Sequence, residues 1–203
     1  MNYRAICAAG AIVLGSVIAL AAEKTITGIV NVEVKTNVGT MVLELDADKA
    51  PKTVANFLQY VEKDHYAGTI FHRVIDGFMI QGGGLDRSLK EKPSMPAVQN
   101  EAGNGLKNDK YTVAMARSTD PNSATCQFFI NMTDNGFLNR DEAEDGYGYT
   151  VFGRLVKGNE VADAIGKSPT RVESNPAFPA MLMRDVPVDP IVIESVRVLK
   201  AAQ

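Results

Sequence analysis

From Ile29 to Leu199 the chain is a succession of short runs rich in β-branched and aromatic residues, cut apart by Gly, Asn, Asp and Pro. The runs fall at 29–35, 40–46, 69–74, 78–81, 112–116, 127–131, 149–155 and 191–199. Several alternate apolar and polar residues, the period of a strand with one buried face. The first two are joined by Thr36-Asn37-Val38-Gly39, a hairpin turn. Two segments follow a different period. After Ala50-Pro51, with proline suited to a first helical position, Val54, Phe57, Leu58 and Val61 recur at helical spacing. Asp46 and Asp48 precede them, where negative charge suits the positive end of a helix dipole. Val161 and Ile165 share a face of a second, short helix over 160–165, with Gly166 as its stop. Many strands without a strand–helix rhythm exclude a parallel α/β sheet. They leave an antiparallel β-barrel or sandwich with two helices. Residues 168–190 carry five prolines and read as an ordered surface loop.

The first 22 residues stand apart. Arg4 is followed by an uncharged, Ala-rich stretch from Ala5 to Ala22. Ala19-Leu20-Ala21 fits a small-x-small cleavage pattern, and Glu23 then starts a polar chain. This is the composition of a secretory signal peptide. The competing reading is a membrane anchor, since the stretch is just long enough to span a bilayer; its many small residues favour cleavage. The expected mature domain is 23–203, released to the periplasm with no stable membrane insertion. Cleavage removes Cys7 and leaves Cys126 as a single thiol, so no internal disulfide can form and the core must supply stability. Beside Phe128-Phe129-Ile130, Cys126 reads as buried. The 203 residues, 45% apolar and 22% charged, suit one domain with its own core. A formal charge of −3 excludes broad, phosphate-driven binding, so no nucleic acid is expected as a partner.

Several signals are weak. His65 and His72 have no metal-ligand spacing with each other or with a cysteine, and read as ordinary polar or half-buried side chains; no metal is expected. Gly82-Gly83-Gly84 lacks the Gly-Lys-Ser/Thr of a phosphate loop and reads as a tight turn. The acidic run Asp141–Asp145 reads as a solvated loop. A hydrolase would need a nucleophile–base pair, and none is legible.

The strong signal is Phe71-His72-Arg73-Val74-Ile75-Asp76-Gly77-Phe78-Met79-Ile80-Gln81-Gly82-Gly83. Strand alternation places Phe71, Arg73 and Ile75 on one face. A guanidinium on a partly apolar surface is costly without a use or a partner, the simplest partner being Glu101. On pattern alone Met79, Phe129 and Leu138 would be core residues.

This run resembles the signature of the cyclophilin family of peptidyl-prolyl isomerases. Ala114-Met115-Ala116-Arg117, Ser123 to Asn131 (SATCQFFIN), Tyr149-Thr150-Val151-Phe152-Gly153 and the stretch 156–163 resemble its later signatures in the same order, over about residues 30–200. The periplasmic bacterial branch is the most similar. The resemblance implies a closed eight-stranded antiparallel β-barrel capped by two α-helices, and a reaction that rotates Xaa-Pro peptide bonds with no cofactor. It implies Arg73, Gln81 and Phe78 as the catalytic group. Arg73 donates to the pyramidal proline nitrogen, and Gln81 helps hold both the Arg and the substrate. Met79, Ala116, Arg117, Gln127, Phe129, Phe137, Leu138 and Tyr149 are implied as substrate-binding. Among them Met79, Phe129 and Leu138, with Phe78, grip the proline ring, while the backbone at Ala116 and Arg117 pairs with extended substrate. The implied partners are proline-containing unfolded or partly folded polypeptides, met by a monomer. Phe137 stands where the family often has Trp, and Tyr149 where many members have His. The missing indole N–H implies weak cyclosporin binding. The alternative is a peptide-holding chaperone or binding module on the same fold. An arginine at that point favours catalysis, because a pure binder has no need of it.

Overall fold

The computed structural model describes residues 26–200; the segment 1–22, read from the sequence as a signal peptide, lies outside them. The strands are β1 (Ile29–Thr36), β2 (Gly39–Asp46), β3 (Thr69–Ile75), β4 (Met79–Asp86), β5 (Thr112–Met115), β6 (Phe128–Asn131), β7 (Val151–Lys157), β8 (Thr170–Ser174), β9 (Leu182–Pro187) and β10 (Ile193–Val198). The helices are α1 (Pro51–Glu62) and α2 (Asn159–Gly166). Eight strands form one sheet in the order β10-β1-β2-β7-β5-β6-β4-β3, every pairing antiparallel. The two ends of that order meet. Gly68 N–H donates to Ile193 O and Phe71 N–H to Ile191 O, both at 2.9 Å, and Ile70 bridges Val192. The sheet thus rolls into a nearly closed barrel, which settles barrel against sandwich.

Alternation on β1 and β2 sends Val32, Val34, Met41, Leu43 and Leu45 inward, where each is fully buried. They meet an aromatic centre in which the ring of Phe57, on α1, lies 4.9 Å from Tyr66, 5.4 Å from Phe152 and 5.6 Å from Phe128. On α1 the buried face is Thr53, Val54, Asn56, Phe57 and Tyr60. Leu58 and Val61 lie at its margin rather than at its centre. The helix is not capped by Asp46 or Asp48. Asp46 turns the chain by accepting from Asp48 N and Lys49 N, and Asp48 accepts from Gly28 N. The first-turn N–H groups of Lys52 and Thr53 donate instead to the carboxylate of Glu101, which also takes the Thr53 hydroxyl at 2.7 Å. On α2, Ala162, Ile165 and Gly166 are buried; Gly166 is the last helical residue rather than the stop after it, and Val161 is only partly buried.

Segment 168–190 is not a loop. It is a β8–β9 hairpin, a separate two-stranded sheet. It lies against β3. Cys126 is buried as expected. Among the described residues no helix is long and apolar enough to cross a membrane, and no group of three or more His, Cys, Asp or Glu could hold a metal ion.

Candidate functional site

Register alone builds a line of residues across the outer wall of the barrel. Arg73 on β3 is paired with Gln81 on β4, Gln81 with Phe129 on β6, Phe129 with Ala114 on β5, and Ala114 with Val151 on β7. The line next to it, Val74, Ile80, Ile130 and Val113, faces inward and is buried. Strand spacing of about 4.8 Å puts the Arg73 backbone about 10 Å from that of Phe129, a gap most of which an extended arginine side chain covers.

Phe71 does not share a face with Arg73. The β3 register shifts between Thr69 and Phe71 and again between Phe71 and Arg73. Such bulges re-phase the alternation, so Phe71 enters the interior while Arg73 and Ile75 stay outside.

Met79, Ala114, Phe129, Leu138 and Val151 form a small buried cluster of their own, separate from the interior, with Ile75, Phe78, Leu106, Ala116 and Tyr149 packed around it. Met79, Phe129 and Leu138 are therefore buried, but in the floor of an outer cup and not in the barrel core. Tyr149 sets its ring edge-on to Phe129 at 5.8 Å. Phe137 is 58% exposed and stacks on Phe78 at 5.7 Å. An apolar floor with an aromatic rim suits a flat, apolar ring.

The polar groups stand on one side of the cup. Gln81 Nε2 donates to Gln127 Oε1 at 2.9 Å. Gln127 lies so close over Gly84 that a Cβ there would meet its Cγ at 2.5 Å; a glycine is needed to leave that amide its place. The Arg73 side chain is 45% exposed, and its Nε lies 4.0 Å from an Asp185 carboxylate oxygen, the outer limit of an ion pair. The Glu101 carboxylate, occupied at α1, is not its partner. Arg73 thus keeps donors available to a ligand, while Gln81, directly opposite in register, is braced by Gln127 rather than by the arginine.

Arg117 is brought to the site by its backbone only. Its side chain is 3% exposed and ion-paired with Asp145. Its Nε donates to Gly148 O at 3.0 Å, and its guanidinium carbon lies 4.4 Å from the centre of the Tyr149 ring. The Arg117 hydrogen bond, helped by the Tyr147 N–H, lowers the Asp145 pKa to about 2. Ala116 N–H is engaged with Gln127 O at 3.0 Å.

Three features were not read from the sequence. Four buried asparagines knit the rim together. Asn135 Nδ2 donates to Phe78 O at 3.0 Å and to Asn131 Oδ1 at 2.7 Å. Asn131 Nδ2 donates to Asn108 Oδ1 at 3.2 Å, and Asn108 N–H to Asn139 Oδ1 at 2.8 Å. They fix the turn Gly136–Leu138, which carries Phe137 and Leu138. The only signal was the density of Asn in an apolar neighbourhood. His72 is buried, not half-exposed, and its Nδ1 has no hydrogen-bond partner. Burial lowers its pKa to about 4, with the Arg73 charge acting in the same direction. His65 is buried too, with Nε2 3.2 Å from Gly83 O. The third feature is Asp185, which reaches Arg73 from the hairpin.

The family model for cyclophilin-type peptidyl-prolyl cis-trans isomerases matches residues 30–198. A peptidyl-prolyl cis-trans isomerase of Streptomyces antibioticus is 53% identical over 169 residues, 83% of this chain and 98% of that protein. Peptidyl-prolyl cis-trans isomerase B of Escherichia coli is 48% identical over 164 residues, 80% of this chain and 96% of that protein. Among solved structures, a cyclophilin-type isomerase of Cryptosporidium parvum, crystallised in the presence of the dipeptide Ala-Pro, matches with a TM-score of 0.69 and 28% identity, covering 84% of this chain and 99% of that one.

Proposed function

The chain belongs to the cyclophilin-type family of peptidyl-prolyl cis-trans isomerases, and from that premise we propose that Arg73 and the cup around Phe129 are its catalytic site, acting on exported polypeptides. The amide to be rotated resists by about 18–20 kcal/mol, because the nitrogen lone pair is delocalised into the carbonyl. A catalyst must favour the twisted amide over both planar forms. Met79, Phe129 and Leu138 receive the proline ring, Phe78 and Phe137 close its rim, and Tyr149 braces Phe129. Twisting frees the lone pair, and Arg73, always charged and rich in donors, donates to it. Displacement of water by the ring strengthens that contact. Gln81 and Gln127 hold the substrate beside the guanidinium, and the backbone at Ala116 and Arg117 aligns the extended chain.

The observation that carries this reading is the exposed guanidinium of Arg73 in register with Gln81 and Phe129, one side of an apolar cup that lies outside the barrel core. It also favours catalysis over simple peptide holding. Isomerisation of a short Ala-Pro peptide by the wild type and by Arg73→Ala is the test. The variant is expected to keep its fold and lose about a hundredfold or more in kcat/KM, the scale of removing one transition-state donor. Peptide binding without acceleration by the wild type would replace catalysis with holding.

The leader at 1–22 supports work in the periplasm by a domain of residues 23–203. Cell fractionation with sequencing of the mature N-terminus checks this, and retention of the leader in a membrane fraction would oppose it. Phe137, lacking an indole N–H, supports weak cyclosporin binding. Inhibition is expected only well above nanomolar concentrations; nanomolar inhibition overturns that reading.

A further inference from the structure

The β8–β9 hairpin and the outer wall of the barrel flank a half-open cavity of about 750 Å³. On the barrel side it is lined by His72, Arg73 and Gln127, and on the hairpin side by Phe178, Met181 and Leu182. Those three apolar side chains are 67%, 61% and 56% exposed. Large apolar groups gathered on one exposed surface mark an interaction site.

The connecting loop is built rather than loose. Asn175 Oδ1 accepts from Ala177 N at 2.9 Å and Phe178 N at 3.1 Å. Asn175 N donates to Met181 O at 2.9 Å, and Met181 N to Phe178 O at 2.8 Å. Asp185, in a left-handed conformation at φ 62°, turns its carboxylate toward Arg73. Arg73 and Gln127 line the cavity and adjoin the cup through Gln81, which is paired in register with Arg73 and Phe129 and hydrogen-bonded to Gln127, so the cavity neighbours the cup across this polar ridge.

We propose that this cavity is an additional substrate subsite, which takes a large apolar side chain (Leu, Met or Phe) from the same polypeptide whose Xaa-Pro bond lies over Phe129. The inference rests on the reading of Arg73 and the Phe129 cup as the catalytic site. From β6 across β4 to β3 is about two strand spacings, or about 10 Å, and the hairpin packs against β3 as a separate sheet. At about 3.3 Å per residue of extended chain, the anchoring residue sits about three or more positions from the proline. Charges around the cavity are mixed, with Arg184 and Lys90 beside Asp185 and Glu91, so it selects apolar character rather than one sign of charge. His72, with its pKa lowered to about 4 by burial, adds no charge of its own to the cavity wall at neutral pH.

The test compares kcat/KM for a minimal Ala-Pro peptide with that for longer peptides carrying Leu or Ser three to five residues to either side of the proline. The wild type is set beside the triple variant Phe178→Ser, Met181→Ser, Leu182→Ser. In the wild type, Leu on one side of the proline is expected to raise kcat/KM about tenfold over Ser, mostly through KM, the scale on which an apolar pocket discriminates. In the variant the Leu/Ser ratio is expected to fall to near one. Equal rates for Leu and Ser in the wild type, or a preference that persists in the variant, overturn the subsite. A wild-type dimer in sedimentation that the variant loses also overturns it, because the apolar surface then belongs to self-association. Failure of the wild type on the minimal peptide defeats the catalytic reading itself, a result distinct from all of these.

Discussion

His72 stands beside the arginine assigned to catalysis, yet its own chemistry is that of a buried, neutral base. Folding lowers its pKa to about 4, chiefly by removing water from the ring. Between about pH 6.5 and 4 the unfolded chain therefore binds a proton here that the native chain refuses. The unfolded state holds more protons across that window, so stability rises with pH through it and is lost as pH falls from 6.5 toward 4. The full shift corresponds to about 3 kcal/mol. His65, also lowered by burial, acts in the same direction. Asp145, lowered to about 2, withdraws its contribution only below about pH 4 and is too exposed for that to be large. Urea unfolding at pH 7 and pH 4 is expected to differ by about 3 kcal/mol or somewhat more, and His72→Gln to remove most of the slope between them. An unchanged slope in the variant would assign the pH dependence elsewhere.

Elements were legible where a single run of residues records its own surroundings. β1 and β2 alternate because one face of each meets the core, and the two-residue turn between them is local. The helix at Pro51 shows in the spacing of Val54 and Phe57. What depends on distant partners was not legible. The cap of α1 comes from Glu101, about fifty residues downstream, while the nearby aspartates Asp46 and Asp48 are spent on other N–H groups. The face of Phe71 was misassigned because bulges in β3 arise from its pairing with β4. The β8–β9 hairpin was hidden by its prolines. Yet Pro169 precedes β8, Pro176 and Pro179 lie in the connection, Pro187 ends β9 and Pro190 follows it, the positions at strand ends where a missing N–H costs least. β8 has no buried face to print a pattern. The site divides in the same way. Arg73, Gln81 and Phe129 were recognised through an ordered run that resembles a family, but the line they form is a product of register between three strands. The hairpin cavity behind Arg73 had no sequence signal beyond the apolar residues of its tip.

For the whole molecule, the deciding contact joins the two ends of the described chain. β10 lies between β1 and β3: Val34 pairs with Val196 and Val32 with Val198, while Ile191 and Ile193 accept hydrogen bonds from the β3 side. A chain ending at Pro190 would lose this closure and leave β1 and β3 with unpaired edges. It would also lose Ile191, Val192, Ile193 and Val196, each at most 5% exposed. At about 1.5–3 kcal/mol for each buried side chain, the loss is roughly 6–12 kcal/mol, comparable with the whole stability of an ordinary domain at about 5–15 kcal/mol. Such a chain is expected to show no cooperative urea transition and no near-ultraviolet circular dichroism from its packed aromatics. A chain ending at Val198 keeps the strand and gives up little more than the bond from Leu199 N to Asn31 O. It is expected to unfold within about 1 kcal/mol of the full chain, the scale of one hydrogen bond. Cooperative unfolding of the shorter chain would show that the remaining seven strands of the sheet hold the core unaided, and that closure serves the outer wall, where Arg73 sits on the strand beside the seam, rather than stability.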